Sequence, residues 1–144
     1  MFKFIKNLAP KNTENKKSNE LLLKIASLLI HAAKIDENFT DKERKIIETA
    51  IINLGAERTE VKNIITEAEN IESNSNQILD FTREIKNKDN KFKIEIIETL
   101  WSIIYSNNEA DMYESNLMRR LAGLLYIDNK VMGDIKDKIK KKFD

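Results

Sequence analysis

The residues best suited to chemistry are two short runs of oxygen-bearing side chains. The first is Asp36-Glu37-Asn38-Phe39-Thr40-Asp41, followed by Glu43. The second is Asn107-Asn108-Glu109-Ala110-Asp111, followed by Glu114. Both place oxygens at alternate positions, and hard cations such as Ca²⁺ and Mg²⁺ need several oxygen ligands at once. Asp36 leads the candidate ligands, with Glu37, Asn38 and Glu43 beside it. Asn107, Glu109 and Glu114 form a poorer second set, because Asn107 carries no charge. An EF-hand is excluded: its glycine would fall on Asp41 or Met112 and its bidentate Glu on Ile47 or Met118. Helix capping competes for the same residues. Thr40-x-x-Glu43 and Asp111-x-x-Glu114 read as capping boxes, each cap worth about 0.5–2 kcal/mol. Capping is the favoured reading and weak divalent-cation binding the alternative.

Little other chemistry can be built. Without cysteine there is no thiolate nucleophile, disulfide or Cys-ligated metal, and His31 is the one histidine. Three glycines and one proline leave no glycine-rich phosphate loop. No nucleophile–base pair or cofactor loop emerges, so the chain reads as a non-enzyme that requires no cofactor, with a metal-dependent hydrolase on the acidic loops as the remote competitor. The charge balance, 25 Lys+Arg against 24 Asp+Glu, argues against nucleic acid. The basic run Lys136 to Lys142 suits a solvated helix C-terminus and lacks the interleaved aromatics of single-strand binders. His31 is expected to be a partly buried structural residue, Trp101 and Tyr105 to stack in the core, and Arg119 to pair with Glu114.

These residues must be held by helices. Scarce Gly and Pro remove the punctuation of β-rich folds, and the apolar residues recur at helical spacing. The expected fold is all-α, a single domain of six or seven helices. Residues 1–18 are read as a short amphipathic segment (Met1, Phe4, Ile5 and Leu8, with Lys3 and Lys6 opposite) and a polar linker, and residues 19–144 as the domain. The first helix spans 19–35 and is apolar nearly all round. The second is capped at Thr40 and stops at Gly55. The third follows Thr59 and ends before a turn at Ser73-Asn74-Ser75-Asn76. The fourth carries Ile78, Leu79, Phe81 and Ile85. The fifth spans 91–106, the sixth runs from Asp111 to about Tyr126, and the seventh follows Asp128. The most apolar stretch, Leu21 to Ile35, is too short and too interrupted for a membrane span, which needs about 20 apolar residues.

Two stretches repeat at an offset of 71 residues. Leu29, Ala32, Ala33, Asp36, Glu43, Ile47 and Ala50 align with Leu100, Ile103, Ile104, Asn107, Glu114, Met118 and Leu121. Each copy is an apolar helix, a polar loop and a second apolar helix with an acidic start, which implies two related hairpins about a pseudo-twofold axis.

The pattern resembles the tellurite-resistance TerB family, in which an apolar helix ends in Ala-x-x-Asp-Gly and leads to a helix-starting Glu, often twice. Here Ala33-Lys34-Ile35-Asp36 leads to Glu43, and Asn107-Asn108 leads to Glu114, with Leu117-Met118-Arg119-Arg120-Leu121-Ala122 similar to the family's Leu-x-Arg-x-Leu-Ala ending. The resemblance covers about residues 19–130. Two departures stand out: Glu37 replaces the first glycine, and Asn107-Asn108 replace the second Asp-Gly pair. The resemblance implies a helical bundle, a divalent-cation site drawn from the loop acids, and a link to stress resistance and membrane-associated complexes. It extends to the N-terminal region of a membrane-anchored DnaJ-like co-chaperone. The combined expectation is a non-enzymatic interaction or adaptor module with a protein partner. It would lie in the cytoplasm, or at the inner face of the membrane if residues 1–9 lie in a lipid interface.

Overall fold

The computed structural model describes residues 19–35, 39–75, 77–106 and 111–143, and among these every regular element is helical. Helix α1 covers residues 19–33. It is followed by α2 (Asp41–Asn53), α3 (Val61–Asn74), the single turn α4 (Leu79–Thr82), a 3₁₀ turn (Ile85–Asn87), α5 (Asn90–Tyr105), α6 (Met112–Leu124) and α7 (Asn129–Phe143). The all-α expectation holds. The expected amphipathic segment and linker, residues 1–18, lie outside the described residues.

Helix α1 is apolar on most of its circumference, so it has to be surrounded. Ile25, Ala26, Leu28, Leu29 and Ile30 are completely buried. Ser27, the polar residue among them, is satisfied by the carbonyls of Leu23 and Ala68, at 2.7 and 3.4 Å. The second bond ties α1 to α3, and His31 and Lys34 extend that seam to Glu72 at 3.3 and 3.2 Å. Helix α5 plays the same part in the second half, burying Ile96, Ile97, Leu100, Ile103 and Ile104. It packs against α7 and α2.

The repeat is sharper in the structure than in the sequence. Helices α2 and α6 each have 13 residues and start and stop 71 residues apart. Both begin with a complete capping box, at Thr40 and Asp111. Both end with the same pair of backbone bonds: Gly55 N–H to Ile52 O and Ala56 N–H to Ile51 O, then Tyr126 N–H to Gly123 O and Ile127 N–H to Ala122 O. This is a Schellman stop, which needs a left-handed residue just past the helix. Gly55 supplies it at φ 121° and Tyr126 at φ 57°. Helix α5 starts at Asn90, 71 residues after residue 19, where α1 is already helical. With α3 following α2 and α7 following α6, each unit contains three helices rather than the two expected.

Two boundaries differ from expectation. The fourth helix is one α-turn and a 3₁₀ turn; Ile78, Phe81, Thr82 and Ile85 are buried, while Leu79 is exposed. The expected turn at Ser73-Asn74 is instead the last stretch of α3, where Asn74 Nδ2 donates to the Asn70 carbonyl at 2.9 Å. A side chain that satisfies its own helix offsets the poor helix propensity of Asn.

Candidate functional site

The capping boxes fix how far the acidic runs are free for other work. Thr40 donates to Glu43 Oε1 from its backbone N–H at 2.8 Å and from its hydroxyl at 3.0 Å, and Glu43 N–H donates back to Thr40 Oγ1 at 3.1 Å. In the second copy Glu114 N–H donates to Asp111 Oδ1 at 2.8 Å and Asp111 N–H to Glu114 Oε1 at 3.3 Å. Both glutamates are buried. Glu43 and Glu114 are thus each engaged in a capping box. Asp36, Glu37, Asn38, Asn107 and Glu109 lie outside the described residues. Among the described residues no three His, Asp or Glu side chains gather around a common point.

The stems of the two runs do meet. Lys42, in the first turn of α2, donates from Nζ to the carbonyl of Ser106, just past α5, at 3.4 Å. The residues that follow the first acidic run therefore sit beside the residue that precedes the second.

From this junction a groove runs between α2 and α5 and is edged by the end of α7. It has two adjoining parts of about 590 and 510 Å³ that share Ala50, Asn53, Thr99, Ser102 and Lys142. Near the junction Ile46 and Phe143 give an apolar floor among Lys42, Lys45 and Lys142. Toward the other end Glu95 and Glu98 line the wall with Asn53 and Leu54. Lys42 Nζ lies 5.9 Å from the centre of the Phe143 ring, and Lys138 pairs with Glu98 at 3.7 Å. The groove thus carries Lys42 and Lys45 beside Ile46 and Phe143 at one end and Glu95 and Glu98 at the other, with Lys142 lining both parts.

His31, Trp101 and Tyr105 make contacts within the bundle. His31 is half-buried, with Nδ1 3.3 Å from Glu72 Oε1. Trp101 and Tyr105 stack as expected, with ring centres 5.8 Å apart at 23°. Lys136 Nζ sits 5.5 Å from the Trp101 ring centre. Lys93, which sequence reasoning missed, is buried and donates from Nζ to the Leu125 carbonyl at 2.9 Å and the Lys86 carbonyl at 3.4 Å. The signal was present: Lys93 stands in the apolar register of Ile96, Ile97 and Leu100, and its repeat counterpart Leu22 is buried.

The fold and its paired caps define an all-helical domain made of two related three-helix units. The family model described as "Tellurite resistance protein TerB" matches residues 22–137, most of the chain. The chain belongs to the TerB family. No curated protein and no solved structure matched it. Among the described residues no helix is long and apolar enough to cross a membrane.

Proposed function

We propose that this TerB-family domain is a non-enzymatic interaction module that docks a segment of a partner protein in the α2/α5/α7 groove. One observation carries the reading: Lys42 and Lys45 line one end of the groove beside the apolar Ile46 and Phe143, and Glu95 and Glu98 line the other. Ligand pockets for small molecules are mostly apolar and enclosed. A shallow groove with split charge suits an amphipathic peptide segment instead, held by an apolar anchor and oriented by its charges. The fitting segment sets an apolar residue over Ile46 and Phe143, acidic residues against Lys42, Lys45 and Lys142, and a basic end toward Glu95.

The test uses photo-crosslinking from Thr99, in the groove, against Arg120, exposed on α6. Capture from Thr99 alone, with the isolated partner binding about tenfold more weakly to Lys45→Glu or Glu95→Lys, supports the reading. Equal capture from both positions, or binding unchanged in both variants, refutes it.

A second reading is weak Ca²⁺ or Mg²⁺ binding by Asp36, Glu37, Asn38 and Glu43, with Asn107, Glu109 and Glu114 as the poorer set. The contact between Lys42 and the Ser106 carbonyl supports it, because the stems of both runs share one end of the bundle. Titration calorimetry at millimolar cation decides it: heat that disappears in Asp36→Ala supports the site, and no heat leaves the loops as caps.

A further inference from the structure

A separate groove of about 330 Å³ opens between α1, the end of α3 and α4, and it shares no lining residue with the groove described above. Its floor is apolar: Phe81 is buried, and Leu23 and Ile71 are half-buried against the core. Its rim is acidic. Glu20, Asp80 and Glu84 line it against a single cation, Lys24. That cation is already engaged, paired with Glu84 at 3.6 Å and donating to the Asp80 carbonyl at 3.3 Å. The Asp80 carboxylate accepts from Ser75 Oγ at 2.9 Å, which holds it at the rim.

The complementary chemistry is carried by this same chain. Residues 1–8 combine the apolar Met1, Phe4, Ile5 and Leu8 with Lys3 and Lys6. Glu20, on the groove's rim, lies in the first turn of α1, where that segment's connection arrives. Residues 9–18 make the connection, and ten residues span up to about 35 Å. A tether of this length holds its end at an effective concentration in roughly the millimolar range, so a contact too weak for a free peptide suffices.

We infer that residues 1–8 dock in cis on the α1/α3/α4 groove. Phe4 and Ile5 cover Leu23, Ile71 and Phe81, while Lys3 and Lys6 face Glu20, Asp80 and Glu84. The docked state covers the apolar residues that a lipid interface would otherwise take, so the two destinations exclude each other. This site does not depend on the partner groove proposed above.

The chain has no cysteine, so Asn7→Cys gives one attachment point for a nitroxide on the full-length protein. Docking predicts selective paramagnetic broadening of the Leu23, Ile71 and Phe81 amides relative to Lys45 and Thr99. The excess falls about tenfold when Phe4→Ser and Ile5→Ser are added, since both apolar anchors are lost. It also falls in Glu20→Lys/Glu84→Lys, whose exposed changes leave the core intact. Unselective broadening, or selective broadening that survives the Phe4→Ser/Ile5→Ser change, overturns the proposal. So does broadening that passes from a nitroxide-bearing copy to an isotope-labelled copy without nitroxide, since the contact is then between chains. Co-sedimentation with phosphatidylcholine–phosphatidylglycerol vesicles without any selective broadening in free solution assigns the segment to the membrane and overturns it as well.

Discussion

Gly55 and Tyr126 hold the same place in the two halves of the molecule, and they differ in what they cost. Gly55 at φ 121° adopts a backbone that L side chains avoid, and nothing lies within 4 Å of where its Cβ would be. Its substitution therefore tests the backbone alone. Gly55→Ala is expected to lower stability by about 1–3 kcal/mol, read as a shift in urea midpoint with an unchanged slope. Tyr126 already pays left-handed strain while its ring stays exposed. Tyr126→Gly is expected to raise stability by up to ~1 kcal/mol, because the helix stop prefers glycine. Lys93 is the opposite case, a buried cation that donates to two backbone carbonyls. Lys93→Met strands the Leu125 and Lys86 carbonyls and is expected to cost about 1–3 kcal/mol in thermal unfolding, even though Leu22 fills the matching position. Of these three roles, the stop at Gly55 was legible in the sequence and the other two were not. A left-handed tyrosine leaves no compositional mark, and a lysine on an apolar stripe is usually read as a snorkelling surface residue.

At the scale of the element, the capping boxes were the most legible feature, because each is a local four-residue interaction that needs no tertiary knowledge. Thr40→Ala and Asp111→Ala are each expected to cost about 0.5–2 kcal/mol, measured by chemical denaturation. Helix α5 lies within a residue of the 91–106 expected at each end, and it is capped by Asp89, whose carboxylate accepts from Phe92 N–H at 2.9 Å. The fourth helix was not legible. Ile78, Phe81 and Ile85 are spaced for a longer helix, and only their burial under α1 and α3 decides how far the chain winds. The central role of α1 could be read from its all-round apolarity. Leu29→Ala, deep in that helix, is expected to cost about 2–5 kcal/mol, more than any cap.

Across the whole molecule, the packing crosses the boundary between the repeats. Helix α2 of the first unit lies against α5 of the second, and Lys42 reaches the Ser106 carbonyl. The two units therefore share one core and should unfold together. Trp101, the one tryptophan, reports the α5/α7 seam, while far-ultraviolet circular dichroism reports every helix. Coincident midpoints by the two probes are expected, and separated midpoints would mean two independent units. The repeat itself was legible from the matched step between Asp36 and Glu43 and between Asn107 and Glu114. The grooves were not, since a groove is defined by residues from three helices whose relative placement no local pattern encodes.

The paired helix stops also determine where the chain can lengthen. After the first stop, five residues separate Gly55 from α3, and Glu57, Arg58, Thr59 and Glu60 are exposed. After the second stop, Ile127 is buried and Asp128 Oδ1 accepts from Lys130 N–H at 2.8 Å, so α7 starts at once. The slack of the duplicated plan is concentrated in one connection. Extra residues placed after Arg58 open one exposed turn, Glu60 N–H to Glu57 O at 2.9 Å, and add the closure entropy of a longer loop, about 0.6 kcal/mol for each doubling. The same insertion after Ile127 would break a cap and pull a core side chain outward. The two halves follow one plan, yet only the first connection is a natural place to splice in new sequence.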